Sequence, residues 1–307
     1  MVESVQNDSI GVLTLATPSD AHKALAMACS CRLRSPELPL AVAAAPEILE
    51  KLGGVFDHLI PERTDLRGFE HKLHLDEYSP FERTLFIDAD MLVMGDPLPL
   101  MERWRGRSYM ARGHYVSGGR SSFGLERKEI QQMLGSVRMV KIDGAGHAYF
   151  EKPACLPIFQ RAREIRADYD RIAPAARLAD EDVMAIVMTE LGLPPIDDDQ
   201  VVGFPESARR ATLKLDAMAG ECTYIDVRGE RITPTLLHFA RNQCPLLYHH
   251  QMRRLASVSK DLPAMPWRRL AWRDWWHVEV EWRARRYVRF LLTLIGLRAP
   301  TPQDTKA

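Results

Sequence analysis

The chain has 307 residues, of which 46% are hydrophobic and 27% charged, and its 41 lysines and arginines balance its 41 acidic residues. This length and composition suit one large α/β domain with an appendage, and the zero net charge argues against a dedicated nucleic-acid-binding protein. The five cysteines form no Cys-x-x-Cys pair, so their spacing predicts neither a zinc site nor a disulfide framework, and we expect reduced, buried thiols.

The N-terminal part of the chain predicts alternating strands and helices. Residues 1–8 are polar and carry no secretory signal, and no stretch reaches the roughly eighteen apolar residues of a spanning helix, so we expect a cytoplasmic protein. Apolar runs predict strands at 10–16, 40–43 and 56–60 and helices from about 21 to 34 and over 46–52. This order predicts a parallel sheet with a nucleotide crevice at the carboxyl ends of the strands. The first strand is not followed by Gly-x-Gly-x-x-Gly, so a metal or basic side chains would have to meet the phosphates.

The most informative segment is an apolar run interrupted by two carboxylates. Residues 84–87 and 91–94 are apolar and flank Asp88-Ala89-Asp90. A short apolar run between turn signals predicts a buried strand, in which residues two apart point to the same side. Asp88 and Asp90 can therefore converge on one cation or polar ligand if the strand ends or bends there. Burying two like charges without a partner is costly, and a divalent metal that holds an anionic phosphate would remove that cost.

The stretch 72–97 resembles a known enzyme group. It combines a lysine, the approach Tyr-Ser-Pro-Phe-Glu-Arg, the hydrophobic strand with Asp-x-Asp, and a closing Gly-Asp-Pro. In these features it is similar to the nucleotide-diphosphate-sugar transferases of the GT-A fold, and most to glycosyltransferase family 8, with its glycogenin-like and lipopolysaccharide-galactosyltransferase-like members. The resemblance implies a Rossmann-like, mostly parallel central sheet flanked by helices. It also implies that Asp-x-Asp binds Mn²⁺ or Mg²⁺, and that the ion binds the diphosphate of the sugar donor.

The same resemblance implies a reaction and a donor site. The expected reaction transfers a hexosyl unit from a nucleotide-diphosphate sugar, by resemblance a UDP-sugar, to a glycan or glycolipid acceptor with retention of anomeric configuration. Donor contacts are expected at the end of the first strand and around the motif, at Ala16, Thr17, Lys72, Ala89 and the two aspartates. An exposed helix lysine is the alternative interpretation of Lys72.

Other functions remain open at this point. The Asp-x-Asp of haloacid-dehalogenase phosphatases also ends a hydrophobic strand, but those enzymes place Thr or Val four residues after the first Asp, where this chain has Leu92. A metal-dependent phosphohydrolase or nucleotidyltransferase of another class is a second possibility. A sugar-nucleotide-binding protein that has lost catalysis is a third, because several positions of the family motifs hold other residues.

Two later segments correspond to family motifs with departures. Residues 108–111 predict a strand and 153–171 an amphipathic helix. In the predicted strand 145–150, Gly146 matches a family glycine, for which the resemblance implies a donor contact. Gly144 replaces an asparagine, so a sugar contact is lost or moves to Asp143. Residues 178–186 resemble the family's Asp-Gln-Asp motif, which implies that Asp180 and Glu181 face the donor sugar, while Asp182 is expected to cap a helix. Acidic residues are also favoured at a helix start by its dipole alone.

The segment 222–239 predicts a hairpin whose second strand ends in His238. The family has His-Phe/Tyr-x-Gly-x-x-Lys-Pro-Trp here, and this chain keeps the histidine and the proline but has Arg241, Cys244 and Leu246 for Gly, Lys and Trp. The resemblance implies that His238 completes the metal site. Arg241 is expected to replace the lysine at the diphosphate, which a guanidinium suits. A structural role for His238 is the alternative.

The C-terminal segment differs from the rest in charge and aromatic content. Residues 266–298 contain eight arginines, three acidic residues and five of the six tryptophans. Basic, tryptophan-rich amphipathic helices lie at anionic membrane surfaces, but a helix that packs on the catalytic domain would also have an apolar stripe. Both interpretations stay open. We predict a GT-A domain over 1–260 and a helical segment over 261–307.

Overall fold

The computed structural model describes residues 9–144, 146–198, 200–240, 244–257 and 267–282, together with 284, 287 and 288. The strands in chain order are β1 (Ile10–Ala16), β2 (Leu40–Ala44), β3 (His58–Pro61), β4 (Arg83–Ile87), β5 (Met91–Val93), β6 (Tyr109–Met110), β7 (Gly113–Val116), β8 (Met139–Ile142), β9 (His147–Glu151), β10 (Val202–Gly203), β11 (Lys214–Asp216), β12 (Glu221–Ile225), β13 (Arg231–Ile232) and β14 (Leu236–His238).

The helices alternate with these strands in the first part of the chain. They are α1 (Ala21–Arg34), α2 (Pro46–Leu52), α3 (Leu75–Tyr78), α4 (Leu98–Arg103), α5 (Arg127–Leu134), α6 (Leu156–Ala167), α7 (Tyr169–Ile172), α8 (Asp180–Glu190), α9 (Pro245–Ala256) and α10 (Trp267–Trp275). Later in the chain, α6 to α8 follow one another between β9 and β10, and α9 and α10 come after β14. A 3₁₀ helix spans Gly68–His74, and α10 continues as a π-helix over Trp276–Trp282.

The centre of the molecule is a six-stranded sheet in the order β3-β2-β1-β4-β9-β6. The first four of these strands are parallel, and β9 runs antiparallel to both of its neighbours. Alternate residues of β1 and β4 enter two different hydrophobic clusters, one on each face of the sheet. Helices cover both faces, which is why β2 and β4 are buried along their whole length. The predicted α/β architecture with a mostly parallel central sheet is confirmed.

The carboxylate motif lies where the chain passes from this sheet into a second one. After β4 the chain turns through Asp88 to Asp90 and continues as β5, which belongs to a three-stranded sheet in the order β10-β14-β5. β14 runs antiparallel to β5, with His238 opposite Met91. The bend between two sheets explains how two carboxylates in an apolar run avoid being sealed inside one sheet.

Several element predictions need correction. The third strand is His58–Pro61 instead of 56–60, and the helix predicted over 153–171 is two helices that meet at Asp168. The predicted hairpin is short, because β12 and β13 pair over only two residues, and β12 also pairs with β11 on its other side. Pro234, which has no backbone N–H to donate, separates β13 from β14, and β14 joins the other sheet.

The start of the C-terminal segment packs on the rest of the molecule. Helix α10 lies against α9, and Nε2 of His249 is 2.9 Å from Oδ2 of Asp274, with both side chains buried. Trp272 and Trp276 remain 62% and 45% exposed. Within the residues that the structure describes, no helix combines the length and apolar composition needed to cross a membrane. The part of the predicted helical segment beyond residue 282 lies outside the described residues, except for residues 284, 287 and 288.

Candidate metal and donor site

Asp88, Asp90 and His238, which the sequence predicted as metal ligands, come together at the junction of the two sheets. One ligand atom from each lies within 4.8 Å of the others. Nε2 of His238 is 3.1 Å from Oδ1 of Asp90. The imidazole is buried, whereas about a fifth of each carboxylate side chain is exposed. The three side chains therefore form a small cluster that is open on the side of the carboxylates.

Backbone hydrogen bonds fix the cluster. The N–H of Asp88 donates to the carbonyl oxygen of Gly146 at 2.6 Å, and the N–H of Phe239 donates to the carbonyl oxygen of Asp90 at 3.0 Å. A Cβ atom on Gly146 would lie 2.7 Å from Cε1 and 2.8 Å from Nδ1 of His238. Gly146, predicted to contact the donor, thus has a direct structural role: only a residue without a side chain lets the imidazole lie where it does.

Lys72 points into this site with only 17% of its side chain exposed, and it is not an exposed helix lysine. Its Nζ lies 2.7 Å from Oδ2 of Asp88 and 3.6 Å from Oδ2 of Asp180. Burial alone would lower the pKa of Lys72, but Asp180 and Asp88 raise it above its ordinary value. The lysine is therefore charged and links the Asp-x-Asp motif to the start of α8.

The ionisation of the three predicted ligands follows from burial and from their neighbours. Burial raises the pKa of Asp88 more than Lys72 lowers it. Burial also opposes ionisation of Asp90, but His238 brings the pKa of Asp90 below its ordinary value. In turn Asp90 and Asp88 raise the pKa of His238, although burial would lower it. The carboxylates thus raise the pKa of both neighbouring bases, Lys72 and His238, so the cluster favours positive charge.

The residues fit a divalent cation. Two carboxylates and an imidazole are hard and borderline ligands of the kind that Mn²⁺ accepts, while Mg²⁺ prefers oxygen ligands throughout. Among the described residues, Nδ1 of His238 is buried without a hydrogen-bond partner. Among these residues, the imidazole is therefore held by the contact of its Nε2 with Asp90. An ion there would take over the compensation of charge that Lys72 and His238 provide.

The predicted Asp-Gln-Asp-like segment opens α8. Asp180 is the first residue of this helix, is only 5% exposed and faces Lys72, while Glu181 is partly exposed on the same turn. The prediction that Asp182 caps the helix is wrong. The N-cap residue is Ala179, without a side-chain cap bond. The carboxylate of Asp182 accepts a hydrogen bond of 2.6 Å from the Ser121 hydroxyl, so it contacts the loop between β7 and α5.

The end of β1 lies near the same cluster. β1 ends at Ala16, and the hydroxyl of Thr17 donates to Oδ2 of Asp20 at 2.7 Å. Asp20 also binds Nζ of Lys23 at 2.8 Å, and Asp90 acts on the pKa of Asp20. Ala89, buried between the two motif carboxylates, accepts a long hydrogen bond of 3.4 Å from the Tyr248 hydroxyl. Arg241, the predicted diphosphate contact, lies outside the described residues.

The sequence did not predict a polar cavity whose wall residue Phe204 lies beside the imidazole of His238. Its volume is about 450 Å³, and its wall includes Asp143, Gly144, Phe204, Tyr224 and Arg228. The rings of Phe204 and His238 are 5.5 Å apart. Asp143 binds His114 at 2.5 Å and Lys141 at 2.7 Å. Apart from Asp143 and Gly144, these residues gave no signal in the sequence, because isolated residues in loops show their neighbours only after folding.

No protein-family model matches the chain, and no curated protein matches it in sequence. Solved structures do match it. The galactosyltransferase LgtC, in complex with donor and acceptor sugar analogs, aligns with a TM-score of 0.55 and 16% identity over 85% of this chain and 99% of its own. The bifunctional glycosyltransferase WbbM aligns with a TM-score of 0.56 and 13% identity over 88% of this chain and 52% of its own.

A third match is the glycosyltransferase GlyE from Streptococcus pneumoniae TIGR4, with a TM-score of 0.51 and 14% identity over 89% of this chain and 64% of its own. The chain has a GT-A glycosyltransferase fold. It spans nearly the whole of LgtC, about half of WbbM and less than two thirds of GlyE. In the GT-A fold the cluster of Asp88, Asp90 and His238 lies at the carboxyl end of β4, beside the end of β1.

Proposed function

We propose that the protein is a metal-dependent glycosyltransferase of family 8 that moves a hexosyl unit from a UDP-sugar to a glycan or glycolipid acceptor, with retention of configuration. The observation that carries this proposal is the convergence of Asp88, Asp90 and His238. These residues belong to two motifs that lie far apart in the chain. Folding brings them together at the sheet edge where the sequence predicted a nucleotide crevice. The description of LgtC with donor and acceptor sugar analogs supports a sugar donor and a sugar acceptor here as well.

The chain's own residues divide the work as follows. Asp88, Asp90 and His238 would hold Mn²⁺ or Mg²⁺, and a bound ion would supply positive charge to offset that of the departing diphosphate. Gly146 leaves room for the imidazole. With an ion at Asp88, Lys72 would still balance Asp180, and we propose that this carboxylate at the start of α8 accepts hydrogen bonds from donor-sugar hydroxyls.

Further donor contacts are proposed around this centre. Glu181 is on the first turn of α8 beside Asp180, and Ala16, Thr17 and Ala89 line the strand ends near the motif. We assign the diphosphate contact of the missing family lysine to Arg241, since a guanidinium binds phosphate oxygens in pairs. The acceptor is assigned to the cavity of about 450 Å³ next to His238, because its charged and aromatic walls suit a sugar.

The C-terminal segment 261–307 is proposed to bring the GT-A domain, residues 1–260, to the cytoplasmic face of an anionic membrane. Trp272 and Trp276 are exposed on the first part of this segment, and Arg268 and Arg269 are exposed beside them. Tryptophan and arginine together favour the interface between lipid headgroups and acyl chains. A glycolipid acceptor would be met at that surface.

Incubation with radiolabelled sugar nucleotides and Mn²⁺ tests the proposed reaction. Nucleoside diphosphate together with free sugar or glycoside supports the transferase. Sugar phosphate together with nucleoside monophosphate would instead indicate a phosphohydrolase or nucleotidyltransferase. Metal-dependent donor binding without turnover on any acceptor pool would indicate a binding protein. The Asp90→Asn variant is the control, since it keeps the size of the side chain but removes its charge.

A further inference from the structure

A second group of metal-binding side chains lies away from the Asp-x-Asp motif, where α1, α9 and α10 meet. It consists of His22, His249 and Asp274, one from each helix, and one ligand atom of each lies within 4.8 Å of the others. The three residues are only 2%, 4% and 3% exposed. Chain segments that are distant in sequence thus contribute three ionisable side chains to one buried point.

The arrangement within this group is specific. Nε2 of His249 lies 2.9 Å from Oδ2 of Asp274, and Nε of Arg273 donates to the other carboxylate oxygen at 2.9 Å. Arg273 therefore fixes the carboxylate so that Oδ2 points to the histidines. The rings of His22 and His249 stack with centroids 5.8 Å apart and an angle of 18° between their planes.

A hydrogen-bonded His–Asp pair does not by itself account for this group. The pair uses one imidazole, yet the fold buries a second imidazole beside it. The pair also leaves Nδ1 of His249 buried, without a hydrogen-bond partner among the residues that the structure describes. Burying a polar group without its hydrogen bond costs about 1–3 kcal/mol. The three buried side chains thus offer more ligand atoms than the hydrogen bond between His249 and Asp274 uses.

We propose that His22, His249 and Asp274 bind a transition-metal ion, Zn²⁺ in the first place, which fastens α10 to α1 and α9. Two histidines and one carboxylate form a three-ligand set that zinc uses when a water molecule takes the fourth position. Tetrahedral zinc with bonds of about 2.0–2.2 Å places its ligand atoms about 3.3–3.5 Å apart. The ligand atoms of the group lie within 4.8 Å of one another, so each separation would have to shorten by at most about 1.5 Å to reach that spacing.

An open cavity gives ions access to this group, and the types of its ligands determine which metal it favours. Asp274 borders an open cavity of about 810 Å³, whose wall also includes Asp20, Lys23 and Trp272. Water and ions can reach the carboxylate from there. Lys23 is neutralised by Asp20 at 2.8 Å, whereas Arg273 stays close to the carboxylate. With one negative ligand and two imidazoles, the group favours zinc or cobalt, and the carboxylate-rich Asp88–Asp90 site favours Mn²⁺.

The test uses the full chain with Asp88→Asn and Asp90→Asn, so that the first metal site is silent. After removal of metal with a chelator, titration with Co²⁺ should give one equivalent with visible absorption typical of cobalt with nitrogen ligands. Zn²⁺ should displace it and raise the thermal unfolding temperature. His249→Ala or Asp274→Asn in the same background should weaken Co²⁺ binding by more than about a hundredfold. That is a larger loss than the roughly 10- to 100-fold loss that follows when a residue supporting a metal ligand is replaced.

His250→Ala is the matched control, because His250 is the next residue of α9 but is exposed. It should bind Co²⁺ as the parent does. The proposal is overturned if the parent with the silenced first site takes up no Co²⁺ and does not melt higher with Zn²⁺. It is also overturned if Asp274→Asn, which keeps the size of the side chain and remains folded by circular dichroism, binds Co²⁺ as tightly as the parent. The group would then be a hydrogen-bonded contact between helices.

Discussion

Gly146→Ala should damage the metal site while leaving the fold in place. The added Cβ would lie 2.7 and 2.8 Å from two atoms of the His238 ring and 3.0 Å from Sδ of Met91. Ordinary contacts between carbon atoms are about 3.5–4.0 Å, so the ring must move by about 0.7 Å or more. The ring is buried and packed against Phe204, and it has little space in which to move.

The expected effects follow from that displacement. The bond of 3.1 Å between His238 and Asp90 stretches beyond hydrogen-bond distance. Overpacking of this kind costs about 1–3 kcal/mol of the free energy of unfolding. Mn²⁺ affinity should fall about 10- to 100-fold, as it does when the support of a metal ligand is lost. Calorimetric titration with Mn²⁺ measures the affinity, and urea denaturation measures the stability.

Gly95→Ala is the matched control. Gly95 follows β5 near the same site, but a Cβ there would have its closest contact, at 3.6 Å, with Thr235. This variant should bind Mn²⁺ as the parent does. If Gly146→Ala also binds Mn²⁺ with parental affinity, the imidazole does not need its observed position, and His238 is not a metal ligand.

Three further outcomes are expected. Lys72→Met should lower the free energy of unfolding of the metal-free protein by about 3 kcal/mol, because Asp88 and Asp180 lose the cation that they share. Urea denaturation should show that Mn²⁺ restores part of this loss. An equal loss with and without Mn²⁺ would contradict the prediction. Asp90 raises the pKa of His238 above its ordinary 6.5, so Mn²⁺ must displace a proton to bind. The Mn²⁺ affinity measured by calorimetry should therefore rise with pH up to the raised pKa. In the metal-free protein, the contribution of the His238–Asp90 pair to stability is present below pH 6.5 and is lost above the raised pKa. A pH-independent affinity would argue against this linkage. Replacing exposed Trp272 by serine should reduce sedimentation with anionic vesicles at low salt, and a parent protein that ignores such vesicles would exclude the membrane proposal.

Local patterns were enough for the first half of the architecture. β1, α1, β2 and α2 follow from apolar runs and turn signals, and the structure has them almost at the predicted bounds. The Asp-x-Asp motif was also predictable from the sequence, because burying two carboxylates inside an apolar run is costly without a ligand or partner. His238 was suggested only by the family resemblance, because a single histidine at a strand end carries no signal of its own.

Long-range contacts account for what the sequence did not predict. The burial of Lys72 depends on Asp88 and Asp180, and the partner of Asp182 is Ser121 across a loop. The prediction that Asp182 caps α8 used only the residues next to it in the sequence, so it could not take the distant Ser121 into account. The group of His22, His249 and Asp274 joins three helices and has no spacing that a sequence pattern can register.

The central claim is that Asp88, Asp90 and His238 hold a divalent ion that binds the diphosphate of a sugar donor. Calorimetric titration of the chelator-treated protein with UDP, with and without Mn²⁺, tests it most directly. We expect UDP to bind with Mn²⁺ present, to bind far more weakly without it, and to behave in Asp90→Asn as if the ion were absent. Equal UDP binding by the parent with and without Mn²⁺, or unchanged Mn²⁺-dependent binding by Asp90→Asn, would contradict the claim.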